Sequence, residues 1–434
     1  MSLWDSSLPA AGRPLRESLA NQERRVVITG MGVIASPGTG VKSFFDALLT
    51  GRGAVQRHQT IRAGWTERLN CKIAAVVTHY DPLQHFTEKE IDQLDRFSQF
   101  ALVASKEALA QAGIETFTEA QQPRLGVAIG TAYGGTETLD ANFFALYAKE
   151  APRLPPLVIP RLMYNAATCQ VSMHWQARGP CVSPTTACSS GSHAIGEAAR
   201  MIERGDADFM LAGGSDAPIT YGVLRCWEGM RVLAPEGDDP TRACRPFSRD
   251  RQGIVIGEGA AMFLLEEYEA ARKRGAPILA ELAGYGATSD ASHITAPSVE
   301  GPATAMRLAL ADARLGPGDI DYVNAHGTAT RVNDAIETRA LKAALGERAR
   351  RVPISSSKSM HGHVMGASGA IELVACVEAL RRGVVPPTAN YTEPDPECDL
   401  DYVPNQPREL PLRAALSSSF AFGGLNAVVI VKKV

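Results

Sequence analysis

The stretch Gly191–Gly205 (GSHAIGEAARMIERG) has a counterpart late in the chain, Gly369–Gly383 (GAIELVACVEALRRG). Both have small and apolar residues at helical spacing, end on glycine, and follow a polar turn of small residues after a predicted strand. An earlier pair recurs in the same order, since Leu109–Ala112 (LAQA) and Leu310–Ala313 (LADA) each lead into a predicted strand and then Gly-Thr-Ala. Helices that end on glycine also recur by chance, but two matches in one order favour a duplicated α/β unit.

Predicted strands and helices alternate along the rest of the chain. Arg25–Gly32 (RVVITGMG) is typical of a buried strand that meets a glycine turn, and Phe97–Gly113 has the apolar spacing of a helix. This alternation predicts an α/β fold with a buried sheet. Ile278–Gly286 (ILAELAGYG) echoes the first strand, so we place the two halves at residues 25–276 and 277–434.

The composition argues against several classes of protein. The 434 residues carry a formal net charge of −3 that is spread along the chain, which predicts no basic surface for nucleic acid. No apolar run approaches the ~20 residues of a membrane span. Residues 1–24 lack the apolar core of a secretory signal, so we expect a flexible extension. The eight cysteines show no CxxC spacing, which fits reduced thiols in a cytoplasmic protein.

Cys188 is the strongest candidate nucleophile. It stands in Val182–Gly191 (VSPTTACSSG), between a predicted strand and a helix rich in small residues. A nucleophile at such a junction is exposed on a sharp turn, and the helix N-terminus supplies free N–H donors and a partial positive charge that favours the thiolate. A free thiol is by default a buried structural residue, but the polar small residues beside Cys188 argue against that interpretation.

Two histidines follow predicted strands in the second half. His326 lies in Asn324–Thr330 (NAHGTAT), and His363 lies just before the helix that repeats the Cys188 helix. If the halves pack about a pseudo-twofold axis, the duplicated turns face one cleft, and both histidines approach Cys188. Lys358 lies near His363 and needs a partner if it is buried; Glu337 is the expected partner.

Three other patterns are less specific. Ser418–Asn426 (SSFAFGGLN) predicts a glycine turn that can present an amide to a ligand or be a plain β-turn. Gly30–Ala35 matches a dinucleotide-binding pattern, but no acidic strand end follows about 20 residues later, which argues against a nicotinamide site. His361 and His363 have no nearby Cys, Asp or Glu to complete a metal site.

Together these motifs resemble those of the type II elongating β-ketoacyl-acyl carrier protein synthases, in the thiolase superfamily. The resemblance runs from about Arg25 to Val434, and the motifs occur in family order: TTACSSG at Cys188, NAHGTAT at His326, KSMHGH at Lys358–His363 and FAFGG at Phe420–Gly424. Other stretches are similar to the nodulation-type branch: GGSDAP (Gly213–Pro218), HITAP (His293–Pro297) and the run Val384–Asp401. The resemblance implies a five-layered αβαβα fold and a homodimer whose acyl pocket lies near the dimer interface.

The resemblance also implies a reaction and the residues that perform it. Cys188 would take an acyl group from an acyl carrier protein, with the oxyanion held by the amides of Cys188 and Phe422. His326 and His363 would stabilise the enolate formed when malonyl-carrier protein loses carbon dioxide, and the enolate would attack the acyl group. Lys358, paired with Glu337, would organise the histidines. No cofactor or metal is required.

The remaining site residues are also assigned by resemblance. Phe422 would act as the gate between the acyl pocket and the malonyl site. Thr328, Thr330 and Thr295 are expected to contact the pantetheine arm. Tyr133 and Trp227 are expected to line the acyl pocket, and Phe420 is a further expected substrate contact.

The chain departs from its relatives at several positions. Tyr133 and Trp227 are bulkier than the residues that line the acyl pocket in long-chain members, so we expect short, medium or unsaturated chains to be preferred over long saturated ones. Lys89, Arg96 and Arg231 are the expected contacts to an acidic carrier protein, although acidic and neutral residues occupy nearby docking positions. His361 replaces a Thr or Ile, with no predicted effect.

Other functions remain as alternatives. A condensing subunit of a polyketide or polyene pathway would use the same motifs. A coenzyme A-dependent thiolase would carry a second cysteine in the late glycine turn, which has none. A non-catalytic chain-length subunit would lack Cys188, and a structural oligomer would not explain the ordered motifs.

Overall fold

The computed structural model describes residues 24–58 and 64–434. The predicted N-terminal extension, residues 1–24, lies outside the described residues except for Arg24. None of the helices in the described ranges has the length and apolar character that a bilayer-spanning segment needs.

The strands of the described residues belong mostly to one large sheet. They are β1 (Val26–Ala35), β2 (Gly38–Thr39), β3 (Gln56–Arg57), β4 (Ile73–Ala74), β5 (Leu125–Gly130), β6 (Cys181–Val182), β7 (Phe209–Asp216), β8 (Gly259–Glu267), β9 (Ala280–Ser289), β10 (Tyr322–Asn324), β11 (Ile354–Ser355), β12 (Val384–Val385), β13 (Arg408–Glu409), β14 (Ala414–Ala421) and β15 (Leu425–Lys432). The sheet runs β6-β5-β7-β8-β1-β9-β15-β14-β10-β11, with β2 paired to β1.

The two helices predicted from the repeated stretches Gly191–Gly205 and Gly369–Gly383 are α7 and α13 of the structure. The helices are α1 (Val41–Leu49), α2 (Glu88–Ile91), α3 (Arg96–Gln111), α4 (Thr136–Ala148), α5 (Val158–Leu162), α6 (Ala166–Trp175), α7 (Ser190–Glu203), α8 (Tyr221–Met230), α9 (Tyr268–Lys273), α10 (Glu300–Asp312), α11 (Arg331–Leu345), α12 (Lys358–His361) and α13 (Ser368–Arg382). The predicted bounds of α3, α7 and α13 agree with these within two residues.

The order of strands confirms the predicted duplication. Read outward from the centre of the sheet, the first half runs β1-β8-β7-β5-β6 and the second runs β9-β15-β14-β10-β11. Strand directions match as well: β5 is parallel to β6 and β7, and β10 is parallel to β11 and β14. The two halves meet where β1 pairs with β9 in antiparallel register.

Five layers result from this arrangement, as expected. Helices α3 and α6 cover the outer face of the first-half strands, and α10 and α11 cover that of the second-half strands. Helices α7 and α13 contact strands of both halves and form the shared central core. Their close approach explains their small residues: a Cβ on Gly191 would lie 2.8 Å from the Gly366 carbonyl oxygen, and one on Gly369 would overlap the Ser192 hydroxyl.

Candidate active site

Cys188 lies in one tight 3₁₀ turn, Ala187–Ser189, directly before α7. Ala187 has a φ of 50°, in the left-handed region that non-glycine residues rarely adopt and that concentrates at functional turns. The Ser190 hydroxyl accepts a hydrogen bond from the Thr186 N–H at 2.9 Å and so ties the turn to the first residue of α7. The nucleophile therefore stands on a sharp turn at a helix N-terminus, as predicted, but it is buried rather than exposed.

The structure brings Cys188, His326 and His363 together. The Cys188 sulfur and one nitrogen from each ring lie within 4.8 Å of one another. The two rings are 5.4 Å apart and nearly perpendicular. All three residues are at most 6% exposed. A sulfur from the first half thus shares a pocket with two imidazoles from the second, which the duplicated topology makes possible.

Hydrogen bonds fix the same tautomer in both histidines. The Met365 backbone N–H donates to His363 Nδ1 at 3.2 Å, so this nitrogen carries no proton. The Lys358 ammonium, which has only donors, faces His326 Nδ1 at 3.4 Å. Each neutral ring therefore carries its proton on Nε2, and His363 Nε2 has no hydrogen-bond partner among the described residues. Both rings are prepared to donate an N–H to a ligand, and a metal ion would find their lone pairs occupied.

Lys358 is paired with Glu372, which corrects the predicted pairing with Glu337. Lys358 and Glu372 are both fully buried and form an ion pair. The ammonium also donates to the His326 carbonyl oxygen at 2.6 Å. Burial raises the pKa of Glu372, although the neighbouring ammonium opposes that rise. Glu372 lies in the otherwise apolar first turns of α13, and an acid among apolar neighbours was the signal that sequence reasoning missed.

Glu337 instead holds the backbone of the His326 turn. Its carboxylate accepts hydrogen bonds from the N–H groups of His326 and Gly327, both at 2.7 Å, and from the Ser418 hydroxyl at 3.0 Å. Burial raises the pKa of Glu337 to about 7. Its role is therefore to fix the main chain next to a site histidine rather than to neutralise Lys358.

Burial dominates the protonation of the three central groups. It raises the pKa of the Cys188 thiol to about 11, although the Lys358 charge and the Phe422 and Cys188 amides favour the thiolate. This raised pKa contradicts the prediction that the helix N-terminus keeps Cys188 as a thiolate. Burial and the Lys358 charge hold the pKa values of His326 and His363 well below the ordinary value, so both rings are neutral near pH 7.

The raised thiol pKa predicts a steep pH dependence of alkylation at Cys188. Only the thiolate reacts, so the rate with iodoacetamide should rise about tenfold per pH unit from pH 7 to 9.5. Mass spectrometry of the Cys188 peptide measures this rate, and a cysteine in a short unstructured peptide, whose rate levels off near its own pKa of ~8.5, is the reference. A Cys188 rate that levels off at or below pH 8 would contradict the burial effect.

The three residues line a cavity of about 510 Å³. Its wall contains these further residues that the sequence analysis named: Thr328, Thr330, Thr295, Phe420, Phe422 and Arg231. Thr328 and Thr330 share a hydrogen bond of 3.0 Å, and Thr330 caps the start of α11. The cavity therefore connects the buried sulfur to exposed residues such as Thr295, along a wall that offers hydroxyl groups.

Tyr133 and Trp227 lie outside that cavity, in an adjoining apolar cluster. The Trp227 Nε1–H donates to the Tyr133 hydroxyl at 2.7 Å. The Trp227 ring lies 5.9 Å from the ring of Phe422, which also lines the cavity. Phe422 thus lies between the cavity and the apolar cluster, and its backbone N–H favours the thiolate form of Cys188.

The three predicted carrier contacts differ in accessibility. Lys89 and Arg231 are exposed. The prediction for Arg96 is wrong: its guanidinium points inward and donates to both carboxylate oxygens of Glu258, at 2.7 and 2.9 Å. The Glu258 side chain is only 3% exposed and needs a buried partner, so Arg96 is not available for docking. His361, whose role the sequence left open, is buried against the Ser357 hydroxyl.

Comparison with known proteins agrees with this geometry. Residues 23–271 match the family "Beta-ketoacyl synthase, N-terminal domain", and residues 279–392 match "Beta-ketoacyl synthase, C-terminal domain". The chain is 46% identical over 413 residues to "Nodulation protein E" of Rhizobium sp. (strain N33), which covers 95% of this chain and 100% of the relative. It is 42% identical over 415 residues to "3-oxoacyl-[acyl-carrier-protein] synthase 2" of Staphylococcus aureus (strain COL), covering 95% and 99%.

A solved structure gives the same result. It contains a type II polyketide synthase acyl-carrier protein in complex with its ketosynthase bound to the hexaketide, and it superposes with a TM-score of 0.87. Its sequence is 34% identical, over 95% of this chain and 100% of the other. The predicted resemblance, including the nodulation-type branch, and the thiolase-like fold are therefore confirmed. The chain belongs to the β-ketoacyl synthase family and is a condensing enzyme of the acyltransferase class.

Proposed function

We propose that Cys188, His326 and His363 carry out a decarboxylative Claisen condensation between an acyl thioester and malonyl-acyl carrier protein, which yields a 3-oxoacyl-carrier protein. One observation supports this most: a buried thiol and two neutral imidazole rings, each with its Nδ1 engaged, converge on one cavity. The arrangement can hold an acyl group on sulfur while it stabilises negative charge on a second thioester.

The first half-reaction transfers the acyl group. The Cys188 sulfur attacks the thioester carbonyl and releases the carrier thiol, which receives the proton that Cys188 loses. The backbone amides of Cys188 and Phe422, which favour negative charge on the Cys188 sulfur, donate to the developing oxyanion. A thioester product keeps the acyl carbon electrophilic for the next step.

The second half-reaction makes the carbon–carbon bond. The Nε2–H groups of His326 and His363 donate to the malonyl thioester oxygen, and the enolate forms as carbon dioxide leaves. Each fixed donor contributes roughly 3–4 kcal/mol where charge develops. The enolate carbon attacks the acyl-Cys188 carbonyl, and collapse of the adduct expels the Cys188 thiolate. Neutral rings suit this step because they donate hydrogen bonds without giving up a proton.

Product analysis tests the proposed reaction. Purified protein is incubated with an acyl-carrier protein and malonyl-carrier protein, and intact-mass spectrometry follows the carrier. We expect a 3-oxoacyl-carrier protein two carbons longer than the donor, with one carbon dioxide released per product. Transfer to coenzyme A without decarboxylation would support a thiolase instead and would contradict the proposal.

The carrier arm enters along the threonine side of the cavity in this proposal. Thr328, Thr330 and Thr295 supply hydroxyl groups along the wall, and exposed Arg231 stands at its outer part. Lys89 offers a further exposed cation for an acidic carrier protein. A polyketide pathway remains the alternative setting for the same reaction, because one structural neighbour is a type II polyketide ketosynthase bound to its carrier.

We also propose a cytoplasmic homodimer with the division between halves near residue 277. The β6 edge of the sheet supports dimerisation, since Cys181 on it is exposed, whereas β11 at the other end is covered by a hydrogen bond to Asp401. Unpaired edges are normally covered by another strand or chain. Large apolar side chains on α4 to α6 and the segments joining them are also exposed: Phe143, Tyr147, Ile159 and Tyr164.

Trp227 is expected to limit the length of the acyl chain. Trp227→Ala removes bulk from the cluster behind Phe422 and should raise the rate of C16 transfer relative to C8 transfer at least about tenfold, since even one additional methylene that fits contributes about 1–3 kcal/mol. Acyl transfer to Cys188 from carriers with C4 to C16 chains measures this ratio.

Trp175→Ala is the matched control. It removes the same side chain from the outer layer, where Trp175 donates to the Ser105 hydroxyl. The control should leave the C16 to C8 ratio unchanged, and an unchanged ratio in Trp227→Ala as well would show that the cluster does not hold the chain.

A further inference from the structure

Asp216 is a fully buried carboxylate at the end of β7 that the mechanism above does not use. It accepts four strong hydrogen bonds. Three come from the loop after β5: the Thr131 hydroxyl at 2.6 Å and the N–H groups of Ala132 at 2.9 Å and Tyr133 at 3.2 Å. The fourth comes from the Gly366 N–H of the other half, at 2.7 Å. One side chain therefore joins the two halves of the molecule beside the cavity.

The hydrogen bond from Gly366 to Asp216 holds the turn that also contacts His363. Gly366 follows Met365, whose N–H donates to His363 Nδ1 and sets the ring tautomer. Met365 has a φ of 47°, so the turn is held in a conformation that a free chain would avoid. The turn is also tight, because a Cβ on Gly366 would lie 2.5 Å from the Ala132 nitrogen.

The bonds to the β5 loop reach the nucleophile. The Ser190 hydroxyl anchors the Cys188 turn by donating to the Ala187 carbonyl oxygen at 2.7 Å, and it lies 3.2 Å from the Thr131 carbonyl oxygen. Asp216 is also close enough for its charge to raise the pKa of the Cys188 thiol, as a smaller contribution beside burial. The same carboxylate thus contacts the supports of both reacting groups.

We propose that Asp216 is a positioning residue that holds the Met365–Gly366 turn against the β5 loop and so keeps the His363 Nε2–H directed at the thioester site. A carboxylate suits this position because it offers about four acceptor sites and no donor. An asparagine would offer one oxygen and would turn its NH₂ group toward an N–H donor. The inference rests on the proposed function, since it assigns Asp216 to the malonyl step.

Separate assays of malonyl decarboxylation and of Cys188 alkylation test this assignment. In Asp216→Asn, we expect the rate constant for decarboxylation of malonyl-carrier protein to fall about 10²-fold, the effect of a small misplacement of a catalytic group, with little change in KM. Alkylation of Cys188 by iodoacetamide should be unchanged or faster, because a nearby negative charge has been removed. Asp216→Glu keeps the carboxylate and should restore decarboxylation to within about tenfold of the wild-type rate.

Asp95→Asn is the matched control. Asp95 is also a buried carboxylate that accepts backbone N–H bonds, but its donors, Phe97 and Thr138, lie on α3 and α4 rather than on the Met365–Gly366 turn. This control should decarboxylate normally. Normal decarboxylation by Asp216→Asn, an Asp216→Glu variant as slow as Asp216→Asn, or equal losses in both assays would overturn the assignment. A wild-type protein that performs neither half-reaction would overturn the proposed function, and this inference with it.

Discussion

Cys188→Ala is expected to abolish both the covalent acyl adduct and condensation. Loss of a nucleophile that acts together with its neighbours typically lowers turnover by roughly 10⁴- to 10⁶-fold, because the remaining groups cannot form the intermediate. Intact-mass spectrometry should show the acyl group on the wild-type protein and none on the variant. The fold should persist, because alanine replaces a thiol that the surrounding amides contact only weakly.

Cys169→Ala provides the control for this experiment. Cys169 is an exposed free thiol on α6, so it tests whether acyl groups attach to accessible cysteines in general. The Cys169 variant should retain the adduct and the condensation rate. An adduct that persists in Cys188→Ala and disappears in Cys169→Ala would assign the chemistry to the wrong thiol and would remove the basis of the proposed mechanism.

Lys358→Met is expected to damage both stability and activity, by separable routes. The substitution leaves Glu372 buried without its cation, which should lower the free energy of unfolding by about 3–5 kcal/mol. It also removes the donor to His326 Nδ1 and to the His326 carbonyl oxygen, so the ring loses its fixed tautomer and orientation. We expect decarboxylation to fall about 10²-fold or more.

The double variant Lys358→Met/Glu372→Leu separates the two effects. Replacing both charges with apolar groups removes the unpaired carboxylate, so most of the lost stability should return. Decarboxylation should stay low, because His326 still lacks its donor. Denaturant unfolding and the decarboxylation assay together measure the outcome. Recovery of the full rate in the double variant would mean that Lys358 serves only to neutralise Glu372.

The sequence predicted those features of the structure that depend on residues close together along the chain. Gly191–Gly205 and Gly369–Gly383 predicted two equivalent helices. The structure places both at the centre of the fold, where small residues allow α7 and α13 to pack closely. The sharp turn at Cys188 was likewise predicted from its neighbours. The roles of His326 and His363 came from the family resemblance. The duplicated order of units explained why the two histidines lie near Cys188.

The sequence did not predict which charged residues form ion pairs across the fold. Sequence spacing predicts Glu337 as the partner of Lys358. In the structure the Glu337 carboxylate binds the backbone of the His326 turn, and Glu372 on α13 pairs with the Lys358 ammonium. Arg96 looked like a surface cation, but Glu258, far along the chain, draws it inward. A charge pairs with whichever opposite charge the packing leaves beside it, and spacing along the chain does not encode that neighbour.

The sequence by itself therefore determined the duplicated α/β architecture and the candidate nucleophile, because periodicity and motifs are local properties of the chain. The class of reaction came from the resemblance of those motifs to a known family. Only the tertiary structure decided which acid neutralises Lys358, which nitrogen of each imidazole carries the proton, and that the thiol is protonated. Those properties depend on burial and on donors contributed by distant segments, and they exist only once the two halves have packed together.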